Sequence, residues 1–279
     1  MTAHPRLSLN QATIKYASLE TALEVTAFAG ISTIGLWREP VAEVGLEVAV
    51  AMVSDSGLRV SSLCRGGFFT MGEGASRRAA LDDNKRALDE AAALGAPTLV
   101  LVAGGLPENS RDLAGARERV RDAIGELADY AAATGVSLAI EALHPMYVTD
   151  RAVVSTLGQA LDIALQFRSA QVGVVIDTFH VFWDPELLHQ IARAGEHIAS
   201  YQVCDWATPL PADVLLGRHQ PGDGVIDFAP ITAAVLATGY AGAIEVEIFN
   251  QAVWDAPTAD TVDRTVAAFE SVIAPLLMG

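Results

Sequence analysis

The chain has 279 residues, 51% of them hydrophobic and 19% charged, which is enough apolar material for one large core and too much for a disordered linker or tail. Mean hydropathy is +0.33, yet every apolar run is broken by a charge, Gly or Pro well short of the roughly 20 residues a spanning helix needs, so no membrane partner is expected. Acidic residues outnumber basic ones 34 to 18, and the net charge of −16 opposes phosphate backbones, which argues against nucleic acid as a partner.

Residues 1–10 carry His4, Pro5 and Arg6 and no apolar signal segment, so the expected location is cytoplasmic. Short β-branched runs then alternate with Ala/Leu-rich amphipathic segments from end to end, with no linker between them. The strand candidates are 7–10, 33–36, 59–64, 98–102, 137–141, 172–176, 198–203 and 243–248. The clearest helical patterns cover 77–94, 112–134 and 258–278. Continuous apolar strands such as 98–102 suit a parallel sheet covered on both faces. Eight such units predict an α/β fold, a single (β/α)8 barrel spanning 1–279 as one domain. Gly66-Gly67 and Gly104-Gly105 read as turns after strands three and four, and 205–227 reads as a long irregular loop after strand seven. The two cysteines, Cys64 and Cys204, are outside any metal-binding or redox spacing and read as small buried side chains. Ala-rich outer helices are compatible with a homo-oligomer.

In such a barrel, function collects where strands end, and there the apolar strands turn polar. Strand five ends in Glu141, followed by His144; strand six ends in Asp177, followed by His180. In strand eight, Ile244, Val246 and Ile248 share one face, so Glu245 and Glu247 point inward. Strand seven offers Gln202 inward and Asp205 just beyond its end. Glu141, Asp177, Gln202 and Glu247 form an all-oxygen ligand set for one divalent cation, Mn²⁺ in the first place or Mg²⁺, which such a set suits better than Zn²⁺. Capping of a following helix is the competing role for Asp177, and Glu245 is expected to serve structure beside an Arg or Asn10. His144 and His180 are expected to hold substrate oxygens or move protons, and Arg218 to clamp a substrate oxygen. Asp205 and the aromatic groups Trp37, Phe68, Trp183 and Trp206 are the remaining candidates for a substrate wall, with Trp183 and Asp205 assigned to substrate binding.

The ordered set Ile140-Glu141 with His144-Pro145, then 174–180 ending in Asp177-Thr178-Phe179-His180, Tyr201-Gln202 to Asp205, Arg218 with Pro221-Gly222-Asp223-Gly224, and Val246-Glu247-Ile248-Phe249 resembles the xylose-isomerase-like sugar isomerase/epimerase superfamily. Within it, inosose (2-keto-myo-inositol) isomerases are nearest, and 9–13 resembles their first strand. The resemblance implies a divalent metal, usually manganese, magnesium or zinc, at Glu141, Asp177, the strand-seven residue and Glu247, with His180 and Arg218 touching substrate. The strand-seven ligand is commonly His in that family and is Gln202 here. The implied activity is isomerisation or epimerisation of a ketosugar, sugar phosphate or inosose through an enediolate, with Glu141 and Glu247 removing and returning the proton and His144 in reserve. The expected partner is therefore a small sugar or cyclic polyol. A lyase that expels water from the same intermediate and a non-catalytic sugar-binding barrel are the alternatives.

Overall fold

The computed structural model describes residues 3–72 and 74–278. Ten strands occur among them: β1 Leu7–Asn10, β2 Thr33–Trp37, β3 Arg59–Gly67, β4 Thr98–Val102, β5 Ser137–Glu141, β6 Val172–Asp177, β7 Ile198–Val203, β8 Asp205–Trp206, β9 Arg218–His219 and β10 Ile244–Val246. Eight of them close into a parallel barrel in the order β1-β10-β7-β6-β5-β4-β3-β2, so the fold is the single (β/α)8 barrel expected from the sequence. The outward faces of the strands pack under helices such as Ala75–Ala93 and Leu113–Thr134, whose buried stripes recur every three or four residues. The latter helix starts on Asp112, whose carboxylate accepts from Gly115 N, and stops at Gly135 in a left-handed conformation. No helix of the described residues is long and apolar enough to cross a membrane.

Three segments depart from the expected boundaries. The strand-three turn at Gly66-Gly67 is instead the end of β3, which runs on through a bulge between Cys64 and Gly66. Asn84 binds Gly67 there through both backbone groups, at 2.7 and 2.9 Å. A Cβ on residue 66 would lie 2.4 Å from Asn84 Oδ1, so glycine is what lets the strand continue. β10 is shorter than 243–248 because Ile248 N donates to Thr13 Oγ1 rather than to a neighbouring strand, which leaves Glu247 just past the ladder. The helix expected over 258–278 is helical only over Thr258–Ala268; a π turn and a 3₁₀ turn containing Pro275 follow.

Inside the barrel, Cys64, Val100, Ala139 and Val175 make a small apolar cluster. Beside it, Glu245, 1% exposed, is ringed by donors: Ser62 at 2.8 Å, Gln202 Nε2 at 3.0 Å, Asn10 Nδ2 at 3.3 Å, and Ser61. This is the structural role expected for Glu245, filled by Asn10 and hydroxyls. Glu245→Ala leaves these donors without their shared acceptor, and the expected loss in chemical denaturation is about 3 kcal/mol.

Candidate active site

The carboxyl ends of β5, β6 and β10 bring Glu141, Asp177 and Glu247 to one mouth of the barrel, and the β8–β9 hairpin brings Arg218 onto them. Arg218, 2% exposed, donates from Nη1 to Asp177 Oδ2 at 2.7 Å and to Glu247 Oε2 at 3.0 Å. Its guanidinium lies against the rings of Phe179 and Phe249, at 4.9 and 5.2 Å. Its Nη2 sits 2.9 Å from His180 Nε2. The supposedly irregular stretch 205–227 is thus a structured hairpin. Asp205 organises it, taking backbone N–H groups from Trp206, Gly222 and Ile226. A Cβ at Gly224 would lie 2.4 Å from Trp206 O, so this tight crossing requires glycine.

A cavity of about 180 Å³ opens above these groups and is lined by Glu141, Glu247, His180, Arg218 and Cys64 together with Trp37, Phe68 and Phe249. Burial, then repulsion from Asp177 and Glu247, pushes Glu141 well above the usual carboxylate range. Burial likewise raises Glu247 to about 8, with Arg218 opposing the shift. Burial and the Arg218 charge hold His180 well below its ordinary value. Arg218 can only donate, so Nε2 is the acceptor nitrogen of a neutral ring, and the backbone N–H of His144 lies 3.2 Å from Nδ1. Burial raises the Cys64 thiol, with the Glu247 charge adding to it.

Ligand-type atoms of Glu141, Asp177 and His180 lie within 4.8 Å of one another, an arrangement able to hold a metal ion. Several acceptors carry no hydrogen bond among the described residues: both oxygens of Glu141, Oε1 of Glu247 and the buried Oε1 of Gln202. Three carboxylates here face one guanidinium. Free oxygens and surplus negative charge are what a hard divalent cation satisfies, so the residues fit one.

Not every expected residue reaches the cavity. Gln202 turns its amide nitrogen to Glu245, leaving only the oxygen free. Asp177 lies beneath Arg218 and also caps the Thr178–Val181 turn through Phe179 N. The expected substrate contacts Asp205 and Trp183 are corrected: Asp205 is buried in its loop anchor, and Trp183 donates to His180 O and packs on His144. His144 is held away from the cavity between Trp183 and Trp206, with Nδ1 accepting from Met146 N, so its place is behind His180. The residues that sequence reasoning missed are Tyr147, Arg65 and Arg151, all lining the cavity. Arg65 comes late in a strand already interrupted by Ser61 and Ser62 and so stands out less than Glu141, whereas Tyr147 and Arg151 sit in an irregular segment with no signal.

A family model for the xylose isomerase-like TIM barrel matches residues 20–271. The chain belongs to that family. Protein SMc04130 from Sinorhizobium meliloti 1021 superposes with a TM-score of 0.92 at 46% identity, over 95% of this chain and 98% of that one. The IolI protein, solved with a bound zinc atom, superposes with a TM-score of 0.85 over 97% and 99% of the two chains; at 22% identity this likeness concerns the fold. Among curated relatives, the 3-dehydroshikimate dehydratase of Pseudomonas aeruginosa is 35% identical over 59% of this chain and 26% of its own length. The inosose isomerase of Bacillus velezensis is 27% identical over 56% and 55%. The chain thus spans about a quarter of that dehydratase and about half of that isomerase.

Arg218→Ala leaves Asp177 and Glu247 buried together without their cation, and the expected cost in urea denaturation is about 3–5 kcal/mol.

Proposed function

We propose that this barrel is a divalent-metal-dependent isomerase or epimerase of a ketosugar or inosose. The observation that carries the reading is the pairing, in one small cavity, of two carboxylates with free oxygens, Glu141 and Glu247, and two fixed donors, Arg218 and Tyr147. Glu141, Asp177 and Glu247, with the free amide oxygen of Gln202, would hold the cation, with Mn²⁺ the first choice for an oxygen-rich set. When bound, the ion supplies Lewis acidity toward a substrate carbonyl and its neighbouring hydroxyl.

The side chains supply the rest. One of Glu141 and Glu247 removes the proton from the carbon beside the carbonyl and the other returns it, to the opposite face of the same carbon in an epimerisation or to the neighbouring carbon of the enediolate in an isomerisation. Arg218 keeps a fixed positive charge next to the developing negative charge without reorganising, because Asp177 and two phenylalanine rings already hold it. Neutral His180 accepts from Arg218 through Nε2 and so fixes the guanidinium at the cavity wall. The Tyr147 hydroxyl is buried without a partner, and burial raises its pKa to about 12, so it stays protonated and donates. A second reading, loss of water from the same intermediate, is favoured by the 35% identity to a dehydratase and by Tyr147, whose proton can accompany a departing hydroxyl.

Elemental mass spectrometry on the dialysed protein, with Mn²⁺ added back, is expected to find about one divalent ion per chain and none bound by Glu247→Gln. With metal present, inososes and ketoses are screened by NMR in heavy water. Exchange of the carbon-bound proton supports the isomerase, release of water the dehydratase, and neither from the loaded protein ends both readings. Glu247→Gln is expected to lower turnover by at least about 10³-fold while retaining the wild-type melting profile.

A further inference from the structure

The recess does not end at the carboxylates. An outer chamber of about 420 Å³ adjoins the inner cavity and shares Trp37, Arg65, Arg151, Leu215 and Phe249 with it. The inner part, about 180 Å³, is close to the size that admits one six-membered ring, so a substituent on that ring has to extend outward. The chemistry changes along the way: carboxylates with free oxygens lie at the inner end, and at the outer end Arg65, Arg151 and Lys15 outnumber the carboxylates Glu39 and Glu43.

The side chains of Arg65 and Arg151 make no hydrogen bond among the described residues, and they are 35% and 37% exposed. Their nearest carboxylates are loose partners, Glu39 at 4.0 Å and the adjacent Asp150 at 3.5 Å. Arg151 Nε and Gln11 Nε2 are buried and make no hydrogen bond, the 3.5 Å contact of Arg151 Nε with Asp150 Oδ2 being a loose ion pair only. Aromatic faces orient both guanidinium groups without neutralising them: Arg65 lies 5.5 Å from the Trp37 ring and 5.2 Å from Phe68, and Arg151 lies 5.7 Å from Tyr147. Arg38, by contrast, donates two hydrogen bonds each to Asp83 and Glu90.

We infer that Arg65 and Arg151 form an anion subsite that receives a carboxylate or phosphate carried by the substrate on the side away from its reacting carbonyl. A planar guanidinium offers paired N–H donors to either group, and two of them meeting one anion discriminate strongly against an uncharged hydroxyl. This deepens the function proposed above and rests on it for the orientation of the substrate. It narrows the substrate from any cyclic polyol or ketose to an acidic one.

The test measures binding by calorimetry at fixed ionic strength for three probes: myo-inositol, myo-inositol 1-phosphate and the carboxylated cyclohexane polyol quinate. The protein is used both metal-loaded and chelator-treated. At least one charged probe is expected to bind about tenfold or more tighter than myo-inositol, and the preferred probe tells phosphate from carboxylate. Arg65→Gln/Arg151→Gln is expected to bring that ratio to within about twofold, and Arg65→Lys/Arg151→Lys, which keeps the charge, to retain part of it. Equal affinity for the charged and neutral probes, no binding of any probe, or a preference that survives in the Gln variant overturns the subsite. Loss of proton exchange with the ratio intact removes the catalytic reading alone, whereas a ratio of one with exchange intact removes the subsite alone.

Discussion

Carboxylates that meet in a dry barrel mouth repel one another, and the mouth of this barrel is built around the guanidinium that makes their meeting tolerable. Arg218 Nη1 is shared between Asp177 and Glu247, on β6 and beyond β10, strands that are separated in the barrel by β7. Much of the surrounding structure exists to place that one group. Its backbone is fixed by Phe249 O and by Asn250 Nδ2, and its plane by two aromatic rings. Asp205 gathers three backbone N–H groups to hold the hairpin that carries it. Removing any of these supports would loosen the cation, and with it the spacing of the carboxylates.

Below the mouth, the barrel repeats the device with neutral donors. Glu245 is surrounded by hydroxyl and amide groups rather than by an arginine, and Gln202 links the two levels by donating downward while its oxygen stays free. Gly35 on β2 makes room for this arrangement, since a Cβ there would lie 2.7 Å from Glu245 Oε2. A histidine at position 202 has one acceptor nitrogen when neutral and no carbonyl, so it could not present an amide donor and a free oxygen together.

The barrel was legible because its signals are local. Period-two and apolar runs marked all eight strands, and the parity of Ile244, Val246 and Ile248 placed Glu245 and Glu247 inside. Glu141 and Asp177 could be found because a charge ending an apolar strand needs a reason. What escaped the reading depends on tertiary geometry. Asp205 and Trp183 sit next in sequence to site residues yet face backbone and ring partners. Tyr147 and Arg151 enter the cavity from a segment with no periodicity. Gly66-Gly67 looked like a turn because glycine usually marks one, whereas here a packed asparagine needs the space.

The hairpin after β7 divides into parts with different freedoms. Its two ends are pinned, one by Asp205 and the other by Gly224 and the Arg218 backbone, while its tip over 208–217 carries prolines, a short 3₁₀ turn and Leu215 at the cavity edge. Insertions or exchanges in the tip therefore reshape the rim of the recess while the pinned ends keep the charge chemistry in register. Such a hairpin gives evolution a place to change what enters the barrel without disturbing how the barrel reacts.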